Sequence, residues 1–195
     1  MSQTPNQTDD GRRLRAVRGK EAAIEALLNL YAEGRPYPTF SDIAERAGIS
    51  ERTLFRYFGS YDDFISSAAM SVFEQVRPFF TRKAVEGDLH TRLLALMDLR
   101  CKFIKQYGAM VRSVDVLSAE WTAAKQVTQR REELLIEQLS AWMGREKDSV
   151  DEDTFVVLHN LLGWQNTARV VAALGRRAPA ALTDAAVAIV NAAGK

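Results

Sequence analysis

Cysteine is almost missing from this chain: Cys101 stands alone, which excludes an internal disulfide and a thiolate zinc cluster. A single thiol accords with a reducing compartment, and Cys101 reads as a small core residue rather than a nucleophile. Histidine is scarce as well, two in 195 residues, and there is no glycine-rich phosphate loop and no metal-ligand spacing. An enzyme is therefore not expected, nor a cofactor or a metal. The net charge of +1 gives no global argument for nucleic acid or membrane, so any electrostatic site must be local. No uninterrupted apolar run approaches the roughly 20 residues needed to cross a bilayer, and the N-terminal MSQTPNQTDDGRR is polar throughout. The chain reads as soluble and cytoplasmic, with no membrane partner. Nothing in it reads as a sheet.

What is present is helical periodicity, with 47% hydrophobic residues to build a core. The first ten residues are polar and read as disordered. Residues 1–18 form a flexible arm in this reading, with Arg12, Arg13, Arg15 and Arg18 in a basic run that ends at Lys20. From Gly19 onward Ile24, Leu27, Leu28 and Tyr31 recur at helical spacing until Gly34, Pro36 and Pro38 stop them. Thr39 then suits an N-cap, with Asp42 completing a capping box. Ile43, Ala44 and Ala47 give that short helix an inner face before Gly48 ends it. Ser50 caps a further helix at Glu51, so the pair has the form of a helix-turn-helix. After Gly59 the chain restarts with Ser60 as cap and Asp62 and Asp63 in the first turn. Further helical segments follow at 89–107, 110–118, 119–143, 154–174 and 180–193. The expected fold class is all-α with about nine helices.

The helix from Glu51 to Phe58 is the most informative. At about 100° per residue, Leu54 and Phe58 form the inward pair, and Arg52 and Arg56 fall opposite them. A solvated polar face accounts for the arginines but leaves Phe55 and Tyr57 unexplained. A recognition helix accounts for all of them, since arginine pairs with guanine, threonine and aromatic edges meet thymine methyls, and hydroxyls hold phosphates. Glu51 suits either a cytosine contact or the helix dipole. The basic run supplies local charge for phosphates or a minor groove.

Residues 39–64, TFSDIAERAGISERTLFRYFGSYDDF, resemble the DNA-binding signature of TetR-family transcriptional regulators. The spacing of Thr39, Ile43-Ala44, Ala47-Gly48, Thr53-Leu54 and Phe58 carries the resemblance. It implies an N-terminal helix-turn-helix domain over 19–64 and a larger ligand-binding and dimerisation domain over 65–195. It also implies a homodimer on a double-stranded DNA operator. By position, Thr39 would cap its helix and touch phosphate, with Ser50 capping the next. Ser41, Glu51, Arg52, Thr53 and Arg56 would face bases, and Phe55 and Tyr57 the groove wall. The family commonly has tyrosine at Phe55 and lysine at Tyr61, so a phosphate hydrogen bond and a phosphate charge are given up, and Tyr61 offers a hydroxyl instead.

In the larger domain, Phe155 to Leu174 is apolar on more than one side, which suits a helix packed both inside its subunit and against a partner. Phe155, Leu158 and Leu162, with a stripe of Leu182, Ala186, Ile189 and Ala193, are the expected dimer face; ordinary packing within the chain is the alternative. Tyr107, Met110 and Trp121 are candidates for an effector pocket, with Asn160, Trp164 and Thr167 sharing a face at i, i+4 and i+7. The absence of a ring of charges suggests a mainly apolar or aromatic effector. The functional expectation is a repressor released from a near-palindromic operator by that effector, with a ligand-independent DNA-binding protein or an activator as the alternative.

Overall fold

Each local signal around residue 40 produces a helix end. Thr39 accepts from Asp42 N at 3.1 Å while the Asp42 carboxylate takes Thr39 N at 2.8 Å, closing the capping box. Gly48 ends the helix in the left-handed conformation, φ 67°. Ser50 Oγ accepts from Thr53 N at 3.2 Å to open the next helix, and Ser60 Oγ does the same for Asp63 N at 3.0 Å.

The computed structural model describes residues 7–35 and 37–194. Among these residues there are nine α-helices and no strand: α1 Gln7–Ala32, α2 Phe40–Ala47, α3 Glu51–Phe58, α4 Tyr61–Phe80, α5 Leu89–Leu117, α6 Thr122–Met143, α7 Glu152–Leu162, α8 Trp164–Leu174 and α9 Ala178–Ala193. The all-α expectation holds. No helix among the described residues is long and apolar enough to cross a membrane.

Three expectations are corrected. The arm expected to be flexible over 1–18 is helical from Gln7 onward, as the first part of α1. Arg13 to Arg18 are mostly good helix formers, and Gly11 and Gly19 cost only about 1 kcal/mol each. Residues 1–6 of that arm, and the side chains of residues 7–10 and of Arg12, lie outside the described residues. The segments expected at 89–107 and 110–118 are one helix, α5, running through a buried Gly108. The helix expected over 154–174 is two, because Gly163 is extended at φ −63°, ψ 158°.

The chain divides into two compact units: one runs to Val72 and includes Ala109–Val127, the other comprises Phe73–Gly108 and the chain from Thr128 onward. The division falls within α4, α5 and α6. Leu117 and Ala124 are the reason, since both are buried in the same core as Leu27, Leu30, Ile43, Leu54 and Phe64. Burial of each large apolar side chain there contributes about 1.5–3 kcal/mol.

In the second unit Leu93, Leu96, Met97, Leu139 and Trp142 form a core with α7 and α9. The expected dimer face is largely consumed by it. Leu158, Leu162, Leu182 and Ala186 are buried within their own chain, Phe155 and Ile189 pack half-buried on the same core, and Ala193 is exposed. Val156 and Val157 on α7 and Ala181, Ala185 and Ala188 on α9 are exposed instead.

Candidate nucleic-acid interface

The geometry of α3 follows from its two anchors. Leu54 is 0% exposed and Phe58 is buried, while Arg52 and Arg56 lie on the exposed side with Glu51. Phe55 keeps 48% of its surface exposed although its ring edge meets Phe40 at 4.5 Å between centroids. Thr53 is half-buried, with its hydroxyl 2.9 Å from Ser50 Oγ. On α2, Ser41 is exposed, and so is Thr39, whose hydroxyl also donates to Asp42 Oδ2 at 2.7 Å. Ser41, Glu51, Arg52, Phe55 and Arg56 therefore share exposed positions on the helix-turn-helix, flanked by the two cap residues.

Ion pairs fix α2 to the end of α1. Arg46 clamps Glu33 through both carboxylate oxygens at 2.6 and 2.7 Å, and Arg35 reaches Asp42 at 2.6 Å. Hydrogen bonds from Thr39, side chain and backbone, and then from Arg35, hold the Asp42 pKa down at about 2. Glu33 is likewise held below the usual carboxylate range by Arg46.

Two tyrosines are not where the sequence placed them. Tyr57 is half-buried with its ring against Gly19 of α1, so it braces α3 from behind rather than forming a groove wall. The Arg56 guanidinium sits 5.6 Å from the centre of that ring. Tyr61 donates its hydroxyl to Pro38 O at 2.8 Å, and its ring lies among Phe40, Phe64 and Trp121. Burial, then the nearby Asp42 charge, raises its pKa. Its hydroxyl ties α4 to the loop before α2. Along α1, Arg13, Arg15, Arg18 and Lys20 are exposed on helical backbone, and the Lys20 ammonium lies 5.5 Å from the Phe58 ring centre.

The expected effector residues scatter. Trp121 belongs to the first unit, 6.5 Å from Tyr37 and 5.9 Å from Tyr61, and Met110 is half-buried in that unit. Tyr107 packs edge-to-face against Phe79 and at a tilt against Phe103. Asn160 is exposed and donates to Val156 O, while Thr167 is buried and donates to Leu162 O at 3.1 Å. The common face needed an unbroken helix, and Gly163 rotates α8 out of phase with α7. Trp164 lines a cavity. That cavity, in the second unit, is a narrow cleft of about 10 Å³, room for about one water molecule, and Phe79, Phe80, Phe103, Arg100 and Gln138 also line it. Arg100 is the residue the sequence did not flag; nothing in its neighbours marks it as buried.

A helix-turn-helix whose second helix turns two arginines outward from a packed three-helix base has the form of a DNA-binding domain. Residues 24–68 match the family model of bacterial regulatory proteins, tetR family. Those residues therefore carry the N-terminal, helix-turn-helix domain that the model describes. No curated protein matches it in sequence. Among solved structures it is similar to a tetR-family transcriptional regulator from Streptomyces coelicolor, with a TM-score of 0.70 at 16% identity over 90% of this chain and 81% of the other. It is also similar to a transcriptional regulator from Rhodococcus sp. Rha1, at 0.63 and 14% over 91% and 94% of the two chains. It is similar as well to the ketosteroid transcriptional regulator KstR2 of Mycobacterium tuberculosis, with a TM-score of 0.53 at 15% identity over 89% of this chain and 93% of the other. At these identities the likeness concerns the fold.

Proposed function

We propose that this protein is a ligand-responsive repressor acting as a homodimer in the cytoplasm, each subunit laying α3 in one of two successive major grooves of a near-palindromic operator. The carrying observation is the outward position of Arg52 and Arg56 opposite the buried Leu54 and Phe58. Arg52 and Arg56 read bases, Glu51 and Ser41 flank them, and Phe55 packs against sugar or a thymine methyl. Thr39 and Ser50, both at helix N-termini, lie where backbone N–H groups favour phosphate. The exposed basic side of α1 adds charge that neutralises phosphates. Val156, Val157 and the alanines of α9 support a dimer face, being apolar and exposed. An effector in the second unit's cavity releases the DNA by favouring a second conformation.

DNA fragments selected from the host genome by the purified protein give the operator. Arg52→Ala and Arg56→Ala should each cost about 1–3 kcal/mol of discrimination at defined base pairs, measured by fluorescence anisotropy at several salt concentrations. Unchanged affinity and base preference in both variants would remove α3 as the reading helix.

A further inference from the structure

The cavity of the second unit holds a charge that no carboxylate neutralises by direct contact. Arg100 is 4% exposed, and among the described residues its guanidinium meets only neutral acceptors: Leu162 O at 2.6 Å, Leu135 O at 3.0 Å and Gln138 Oε1 at 3.2 Å. A guanidinium has five N–H groups, and these contacts engage three of them. Burial pulls the Arg100 pKa down to about 10, with the charge of Glu132 opposing, so the group is a cation at neutral pH. Glu132 itself is engaged by Arg131 at 3.2 Å and His159 at 3.6 Å. A second donor faces the same problem. Trp164, also lining the cavity, is 6% exposed, and its indole N–H is buried without an acceptor. Buried donors and buried charge both cost free energy until matched. The rest of the wall is aromatic or aliphatic, with Phe79, Phe80 and Phe103 prominent.

From this pairing of an uncompensated cation and an unused N–H with an apolar wall, we infer that the cleft widens to take an organic carboxylate with an apolar or aromatic body, its anionic head held by Arg100 and Trp164. This deepens the effector reading above and rests on it. Gln138 gives the head a way to act. Its Oε1 makes the longest of the three Arg100 contacts, and its Nε2 donates to Phe79 O at 2.6 Å and Phe80 O at 3.3 Å, the last residues of α4. A carboxylate that takes the place of Gln138 on Arg100 frees the side chain that holds the end of α4.

The test uses the full-length protein with octanoate and 4-phenylbutyrate against their uncharged amides, by thermal shift and titration calorimetry. The acids should bind at least about tenfold more tightly than the amides, the worth of a charged hydrogen bond. Trp164→Phe should weaken acid binding severalfold and leave the amides alone, and Arg100→Gln should abolish the preference. Should Arg100→Gln fail to fold, the Trp164→Phe comparison still decides. Acids and amides binding alike, neither shifting the melting temperature, or a preference that survives the substitutions would overturn the assignment. The same samples are mixed with a selected DNA fragment. An acid that binds but leaves the DNA bound overturns release while upholding the ligand class, whereas sequence-selective DNA binding with no acid preference overturns the ligand class while upholding the DNA-binding reading.

Discussion

The ring of Tyr57 occupies the space that any side chain at Gly19 would need: a Cβ there would stand 2.6 Å from Cε2 and 2.7 Å from Oη. Gly19 lies in the middle of α1 at ordinary helical angles, so its role is close approach and not an unusual backbone conformation. Gly19→Ala gains about 1 kcal/mol of helix propensity but displaces the ring. In the wild-type background the two effects should roughly cancel in urea unfolding. With Tyr57→Ala in place the same change should stabilise by about 0.5–1 kcal/mol, because the space is vacant. Equal effects in the two backgrounds would show that the ring does not press on α1.

The Tyr61 hydroxyl distinguishes structural from DNA-contacting tyrosine. If it serves only Pro38 O, Tyr61→Phe costs about 1 kcal/mol of stability, the net worth of one hydrogen bond. The slope of log affinity against log salt on operator DNA should stay as in the wild type, since no phosphate contact is lost. A shallower slope with unchanged stability would assign the hydroxyl to DNA instead.

The helix-turn-helix was legible because its signals are local. Thr39, Gly48 and Ser50 act within a turn of their own positions, and Leu54 and Phe58 are fixed as inward by spacing alone. The partners of Tyr57 and Tyr61 were not legible, because Gly19 and Pro38 are distant in sequence and nothing local ties them together. In the second unit the difficulty was different. An apolar stripe such as Leu182, Ala186 and Ile189 states that it will be buried but not which chain covers it, and alanine on the opposite side of α9 leaves no contrast to read. A single glycine is equally ambiguous: Gly108 passes unnoticed inside α5, whereas Gly163 breaks a helix. At Gly163 a Cβ would meet His159 O at 2.9 Å, and the Leu162 carbonyl freed by the break is taken by Arg100 and Thr167. Tertiary partners decide between the two outcomes.

Asp42 predicts an acid limit to the stability of the first unit. Its folded pKa lies at about 2, below the about 3.9 of an unfolded aspartate, so folding is favoured by the ionised form. That contribution is complete above the unfolded value and is lost as pH falls through the folded one. The urea midpoint should therefore decline between about pH 4 and pH 2. Asp42→Asn should start lower at neutral pH and decline less over that window. A variant whose acid limb parallels the wild type would assign the loss to other carboxylates, with Glu33 the next to examine.

Arg92 and Arg130 test whether burial or ion pairing governs what an arginine contributes. Arg92, in the second unit, donates to Trp142 O and Met143 O at 2.8 Å each, to Gly87 O at 2.6 Å and to Glu146 at 2.6 Å. Two of those acceptors are carbonyls in the last turn of α6, which lack partners within the helix and carry the negative end of its dipole. Arg130 pairs with Glu133 at 2.7 Å and Glu137 at 3.3 Å, but on an exposed surface. Arg92→Ala should cost about 2–3 kcal/mol, since it strands partly buried carbonyls along with a carboxylate. Arg130→Ala should change stability by less than about 1 kcal/mol, because exposed pairs gain little over solvated charges. Arg92→Lys keeps the charge but loses the planar fork that reaches several acceptors at once, and should recover less than half the difference. Chemical unfolding of the three variants decides, and comparable losses at Arg92 and Arg130 would mean that the clamp on α6 contributes no more than a surface pair.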